Sequence, residues 1–156
     1  MSIELEPGQP APDFVLPRDG GGEVGLAGLR GRKVVLYFYP KDDTSGCTKE
    51  ALAFTALAPD FEAAGAVVLG VSKDPVASHD KFRAKHDLGI ALLSDAESDV
   101  AERYGVWGEK SMYGRKYMGI ERATFLLDEE GKLLRAWRKV KVPGHAEEVL
   151  AAVRAA

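Results

Sequence analysis

Apolar residues occur along this chain in two patterns: short unbroken runs, and longer stretches where they recur every three or four positions. The run "KVVLYFYP" (33–40) is rich in β-branched and aromatic residues and stops at Pro40, which predicts a strand buried on both faces. From Cys47 to Ala64 the pattern changes. Ala51, Phe54, Ala58 and Phe61 recur at helical spacing, and Gly65 ends the helix. "AVVLGVSKD" (66–74) predicts a second buried strand, and Pro75 opens a helix to about His86. "ALLSD" (91–95) fits a short strand, "ESDVAERYGV" (97–106) a short helix and "WGEKSMYGRKYMGIER" (107–122) a long loop. "ATFLLDEEGKLLRAWRKV" (123–140) reads as two strands around a tight acidic-glycine turn, followed by a final helix at 144–156. Glycine-rich "RDGGGEVGLAGLRGRK" (18–33) reads as hairpin turns. It lacks the Gly-Lys-Ser/Thr ending of a phosphate loop, and no long helix pattern follows it.

The resulting order, β-α-β-α-(β)-α-β-β-α, places the chain in the α/β class. A central β-α-β unit followed by a hairpin and a closing helix is the thioredoxin-like order. It predicts a central mixed sheet flanked by helices, with an N-terminal β-hairpin extension. At 156 residues the chain fits a single domain, 1–156. Composition narrows the function classes. A net charge of −3 shows no basic footprint for nucleic acid. The longest wholly apolar run, "VVLYFY" (34–39), is too short to span a bilayer. The N-terminus has neither the basic patch nor the apolar run of a secretory signal. His79, His86 and His145 do not form a metal-ligand spacing, so no metal is expected. The one cysteine cannot form an internal disulfide, which suits a reducing compartment and makes the cytoplasm the expected location.

That cysteine, Cys47, sits in "FYPKDDTSGCTKEALAF" (38–54), where the strand stops and the helix starts. A thiol reacts as its thiolate, and a free cysteine is mostly protonated at neutral pH. Unpaired N–H groups and the positive end of the dipole at a helix start stabilise the anion. Gly46 allows close approach of the backbone. Thr44 is placed to turn its hydroxyl toward the same space, and Pro40 removes a competing N–H. Glu50, one turn into the helix, opposes a thiolate by like-charge repulsion, so a reactive Cys47 needs a cation beside it. Arg115, Arg122, Arg135 and Arg138 are the candidates, and Arg122 fits best because it opens the strand "ATFLL". Each feature also has a plain alternative: a buried inert cysteine, a threonine cap and an arginine paired at a strand start. Trp107, Met112, Tyr113 and Tyr117 either wall a substrate pocket or cap the core. "KSMYGRK" (110–116) reads as a solvated basic patch.

Taken together these residues resemble a peroxiredoxin. Pro40, Thr44 and Cys47 match the family's Pro-x-x-x-Thr-x-x-Cys pattern, and "FYPKDDTSGCTKE" is similar to the bacterioferritin comigratory protein, or peroxiredoxin Q, group. "YGVWGEKSMYGRKYMGIERATFLLD" (104–128) resembles the group's second signature, with Arg122 at its arginine, and "PGQPAPDFVL" (7–16) resembles its N-terminal strand. The resemblance implies a thiol-dependent peroxidase that reduces hydrogen peroxide and organic hydroperoxides through a sulfenic acid at Cys47. Thr44 and Arg122 would hold the peroxide, and Glu50 would orient Arg122. No cofactor is implied, because sulfur carries the redox change. Two positions depart from the group: Ser45 replaces a usual proline, and Leu52 stands where many members have a second, resolving cysteine. The alternative region for that cysteine, Phe82 to Lys85, has none either. The expected partner is therefore an external thiol (thioredoxin, glutaredoxin or a low-molecular-weight thiol), with the chain a monomer or weak homodimer. A redox sensor and a thioredoxin-like binding module without turnover are the alternatives.

Overall fold

The computed structural model describes residues 5–156. In chain order the elements are β1 (Val15–Pro17), β2 (Glu23–Gly25), a 3-10 turn (Leu26–Leu29), β3 (Lys33–Phe38), α1 (Ser45–Ala63), β4 (Ala66–Ser72), α2 (Val76–His86), β5 (Ala91–Ser94), α3 (Val100–Arg103), β6 (Trp107–Met112), β7 (Arg115–Ile120), β8 (Ala123–Leu127), β9 (Leu133–Trp137) and α4 (His145–Ala155). Five strands form the central mixed sheet in the order β5-β4-β3-β8-β9, and β1 and β2 form the N-terminal hairpin. β3 lies at the centre, parallel to β4 and antiparallel to β8.

The unbroken apolar run of β3 follows from this central place, since both of its faces are covered. Val35 and Tyr37 pack with Cys47, Ala51 and Phe54 of α1, Phe82 of α2 and Val149 of α4. Val34, Leu36 and Phe38 face the opposite way, onto Phe14, Leu16, Val100, Tyr104 and Phe125. The sheet is thus flanked by helices on both sides, the thioredoxin-like arrangement. Among the described residues no helix is long and apolar enough to cross a membrane.

Two expectations need correction. The segment 107–122 is mostly not a loop: β6 and β7 pair antiparallel across Tyr113 and Gly114, both at positive φ (52° and 77°), as a two-residue hairpin turn requires. Met112, Tyr113, Tyr117 and Met118 are exposed on this ribbon. With little of it buried, its sequence carries no alternation of apolar and polar residues to reveal the strands. The helix expected at 97–106 shrinks to the single turn of α3, whose start is held by Asp95 accepting from the N–H groups of Val100 (3.1 Å) and Ala101 (2.8 Å).

Candidate active site

The loop 39–44 carries the chain from the end of β3 to the start of α1. Thr44 is the residue before the helix, but its hydroxyl caps nothing. Oγ1 donates instead to the Lys41 carbonyl at 2.8 Å. The first helical bond runs from the Thr48 N–H to the Thr44 carbonyl (2.8 Å), so the N–H groups of Ser45, Gly46 and Cys47 precede it without an intrahelical acceptor. Cys47 is therefore in the first turn, at the positive end of the helix dipole, and its side chain is buried at 1% exposure.

Sheet register delivers the cation. Phe38 at the end of β3 pairs with Ala123 at the start of β8, which puts Arg122 beside the loop. Its Nη2 donates to Cys47 Sγ at 3.3 Å, and its Nη1 donates to Glu50 Oε1 at 2.7 Å. One guanidinium thus bridges the sulfur and the carboxylate that would otherwise repel each other. Gly46 makes this approach possible, since a Cβ there would lie 3.2 Å from Nη2. The other arginines are engaged elsewhere or exposed. Arg135 stacks on Trp137 and pairs with Glu148, Arg138 donates to the Gly105 carbonyl, and Arg115 lies exposed on β7.

Beneath the sulfur the site is incompletely satisfied. Burial raises the Glu50 pKa to about 7, although the charge and hydrogen bond of Arg122 pull it down. Its second oxygen, Oε2, has no hydrogen-bond partner, and neither has the Tyr37 hydroxyl. Burial, and then the nearby charges of Glu50 and Cys47, raise the Tyr37 pKa well above the usual phenol value. Gly70 on β4 makes room for that phenol, because a Cβ there would come within 2.8 Å of the ring.

The structure brings Cys47, Glu50 and Arg122 together and sets Thr44 on the loop just before them. Pro40 is half-buried in the same loop, with no hydrogen bond to any of the four. Sequence reasoning missed three residues. Lys110 is half-buried rather than freely solvated, and its stem passes over Gly119. Burial, followed by the charge of Arg122, lowers its pKa. Asp42 and His79 form a buried pair beneath the loop. The adjacent aspartates in "PKDDTSG" were the available signal for that pair, since a buried one requires a partner.

A thioredoxin-like sheet whose first long helix opens on a buried cysteine, hydrogen-bonded by an arginine just ahead of the neighbouring antiparallel strand, is peroxiredoxin architecture. Residues 7–136 match the AhpC/TSA family, and the chain belongs to it. It is 54% identical over 150 residues to a putative peroxiredoxin Bcp of Coxiella burnetii, covering 96% of this chain and 98% of the relative. It is 51% identical over 148 residues to peroxiredoxin Bcp of Xanthomonas campestris, covering 94% and 92%. Among solved structures it superposes on a cysteine-to-serine mutant of Xylella fastidiosa PrxQ with a TM-score of 0.93 at 41% identity, covering 99% and 98% of the two chains. A Xanthomonas campestris bacterioferritin comigratory protein, solved to explain its alkyl peroxide reduction, gives a TM-score of 0.89 at 47% identity, covering 96% and 98%.

Proposed function

We propose that Cys47 is the residue through which this thiol-dependent peroxidase turns over. The thiolate sulfur attacks one peroxide oxygen, so that the S–O bond forms as the O–O bond breaks. The sulfur is oxidised to a sulfenic acid. The leaving oxygen departs with the electron pair, takes a proton and becomes water or an alcohol. The observation that carries this reading is the bridging guanidinium, with Nη2 on the sulfur at 3.3 Å and Nη1 held by Glu50 at 2.7 Å. Arg122 favours the thiolate and meets the charge that develops on the departing oxygen. The Thr44 hydroxyl has committed its proton to the Lys41 carbonyl, so it offers a peroxide O–H only lone pairs. The uncommitted N–H groups at the start of α1 add donors on the same side.

Hydrogen peroxide and organic hydroperoxides both fit this chemistry, because the acting groups touch only the O–O unit. Cys47 is the chain's one cysteine, so the sulfenic acid must be reduced by an external thiol: thioredoxin, glutaredoxin or a small thiol. A lone unpaired thiol also fits a reducing compartment such as the cytoplasm. The test is stopped-flow mixing with one equivalent of hydrogen peroxide or an alkyl hydroperoxide, with the protein mass read afterwards. Cys47 gains one oxygen atom in step with peroxide loss. Peroxide consumed while Cys47 stays a thiol would overturn the assignment.

A further inference from the structure

A second buried polar cluster lies under the loop 39–44, and the peroxide chemistry does not touch it. Its centre is Asp42, whose side chain is 3% exposed. Oδ1 accepts from the Tyr39 hydroxyl (2.5 Å), and Oδ2 accepts from the Ser78 hydroxyl (2.8 Å) and lies 2.7 Å from His79 Nδ1. The Asp42 N–H donates to Asp74 Oδ2 at 2.9 Å, and the Ser72 hydroxyl donates to that same oxygen at 2.6 Å. The His79 ring is fully buried, with Nε2 2.9 Å from the Leu93 carbonyl.

Counting protons constrains this pair. A carbonyl only accepts, so Nε2 carries a hydrogen. Beside an ionised Asp42, a neutral ring would then turn the Nδ1 lone pair onto Oδ2, lone pair against lone pair. Asp42 already accepts from two hydroxyls, as a carboxylate does. One proton therefore lies between Nδ1 and Oδ2; on Nδ1, beside the charges of Asp42 and Asp74, it makes the ring an imidazolium between a carboxylate and a carbonyl.

This ion pair grips the loop that shapes the peroxide site. Asp42 follows Lys41, whose carbonyl takes the Thr44 hydroxyl, and precedes Asp43, which sits at φ 60°. Two further side chains of α2 hold the Asp43 carboxylate, Lys85 Nζ at 2.7 Å and His86 Nε2 at 2.9 Å. We propose that His79 is a positioning residue for the peroxidase reaction: its imidazolium, locked to Asp42, holds the loop 39–44 so that Thr44 and the first turn of α1 face the peroxide. This rests on Cys47 being the peroxide-reducing thiol. Loss of the second proton puts two lone pairs face to face and loosens the loop.

The groups facing the ring are Tyr39 after β3, Asp42 on the loop, Asp74 after β4, Ser78 on α2 and the Leu93 carbonyl on β5. Burial opposes the charged ring, but the hydrogen bond and charge of Asp42, the Leu93 carbonyl and the charge of Asp74 outweigh it and raise the His79 pKa. A raised histidine keeps its clamp at acidic and neutral pH and loses it as pH climbs through the folded-state value.

Two measurements test this. Nitrogen-15 NMR of the reduced full-length protein, without peroxide, reads the ring directly, independently of whether Cys47 is the reacting thiol. Both His79 nitrogens should be protonated at neutral pH; a neutral ring there overturns the proposal. The rate constant for Cys47 oxidation by hydrogen peroxide is then followed against pH. It should rise with the thiolate and fall again where the NMR titration of His79 falls; no fall, or a fall at a different pH, overturns it. In Asp42→Asn the amide N–H can donate to Nδ1, so a neutral ring keeps all its bonds and the falling limb should disappear. A falling limb unchanged in a folded Asp42→Asn protein would also overturn the proposal.

Discussion

Two buried polar clusters flank the loop that leads into α1, and they are completed to different degrees. Around Asp42 both carboxylate oxygens and both nitrogens of His79 have partners. Around Cys47, Glu50 Oε2 and the Tyr37 hydroxyl have none, and they are two of the four buried side-chain polar atoms left without one among the described residues. A saturated network fixes geometry, because every distortion breaks a bond that water cannot replace. An unsaturated one keeps donors and acceptors free for a ligand, at the cost of stability. Damage to the Cys47 cluster should therefore appear mainly in chemistry, and damage to the Asp42 cluster mainly in stability.

The largest expected effect is that of Cys47→Ser, which removes peroxide reduction altogether while leaving the fold intact. Steady-state consumption above a few per cent of wild type would place the chemistry elsewhere. Next is Arg122→Met. Losing one preorganised donor to developing charge costs about 10²–10³ in rate, so the oxidation step measured by stopped flow should slow by that order. A change under about tenfold would transfer the role to another cation, with Lys110 the first to examine.

The Asp42 cluster answers in a different observable. Asp42→Ala leaves His79 Nδ1 and the hydroxyls of Tyr39 and Ser78 without their buried partner, and each buried polar group left unsatisfied costs about 1–3 kcal/mol. Chemical denaturation would read that loss. A smaller loss than that of Glu50→Gln would invert the contrast between the clusters.

Glu50 sharpens it further through pH. The folded-state pKa is raised from 4.5 to about 7, so the native protein keeps a proton there that the unfolded chain releases. Fewer protons on the unfolded state make stability fall as pH rises, here between about 4.5 and 7, with a slope from one group of roughly 1.4 kcal/mol per pH unit. Glu50→Gln should remove that contribution from the measured slope. Equal slopes in the two proteins would mean that Glu50 ionises freely in the folded state.

The smallest expected change concerns α1 during turnover. Five residues rise about 7.5 Å along a helix, whereas disulfide partners need Cα atoms within roughly 7 Å. Leu52 stands five residues after Cys47 and is 43% exposed, so no internal bond forms and nothing requires the helix to unwind. One equivalent of peroxide should give one sulfenic-acid adduct per chain by intact mass, with almost no change in far-ultraviolet circular dichroism. A covalent dimer in place of the adduct would mean that a second chain's Cys47 resolves the first, although its burial at 1% exposure opposes that.

Much of the fold was legible because its signals are local. The β-branched run ended by Pro40, the helical spacing of Ala51, Phe54 and Phe61 and the stop at Gly65 are each contained within a few turns of chain. They were enough to set Cys47 at the mouth of a helix and to order the strands and helices. The ribbon β6–β7 left no such trace, because burial is what writes alternation into a strand and most of this hairpin is exposed. The site's partners depended on the sheet. Arg122 reaches Cys47 across 75 positions because β3 and β8 run antiparallel with Phe38 opposite Ala123, and a shift of one residue would turn it to the other face. His79 meets Asp42 across 37 positions because α2 packs under the loop. The Thr44 hydroxyl turned to a carbonyl that only the folded loop presents. Short-range periodicity determines what each segment becomes. Which charges meet in the interior is decided by the register and packing that bring distant segments together, since a buried charge is tolerated only where a partner arrives with it.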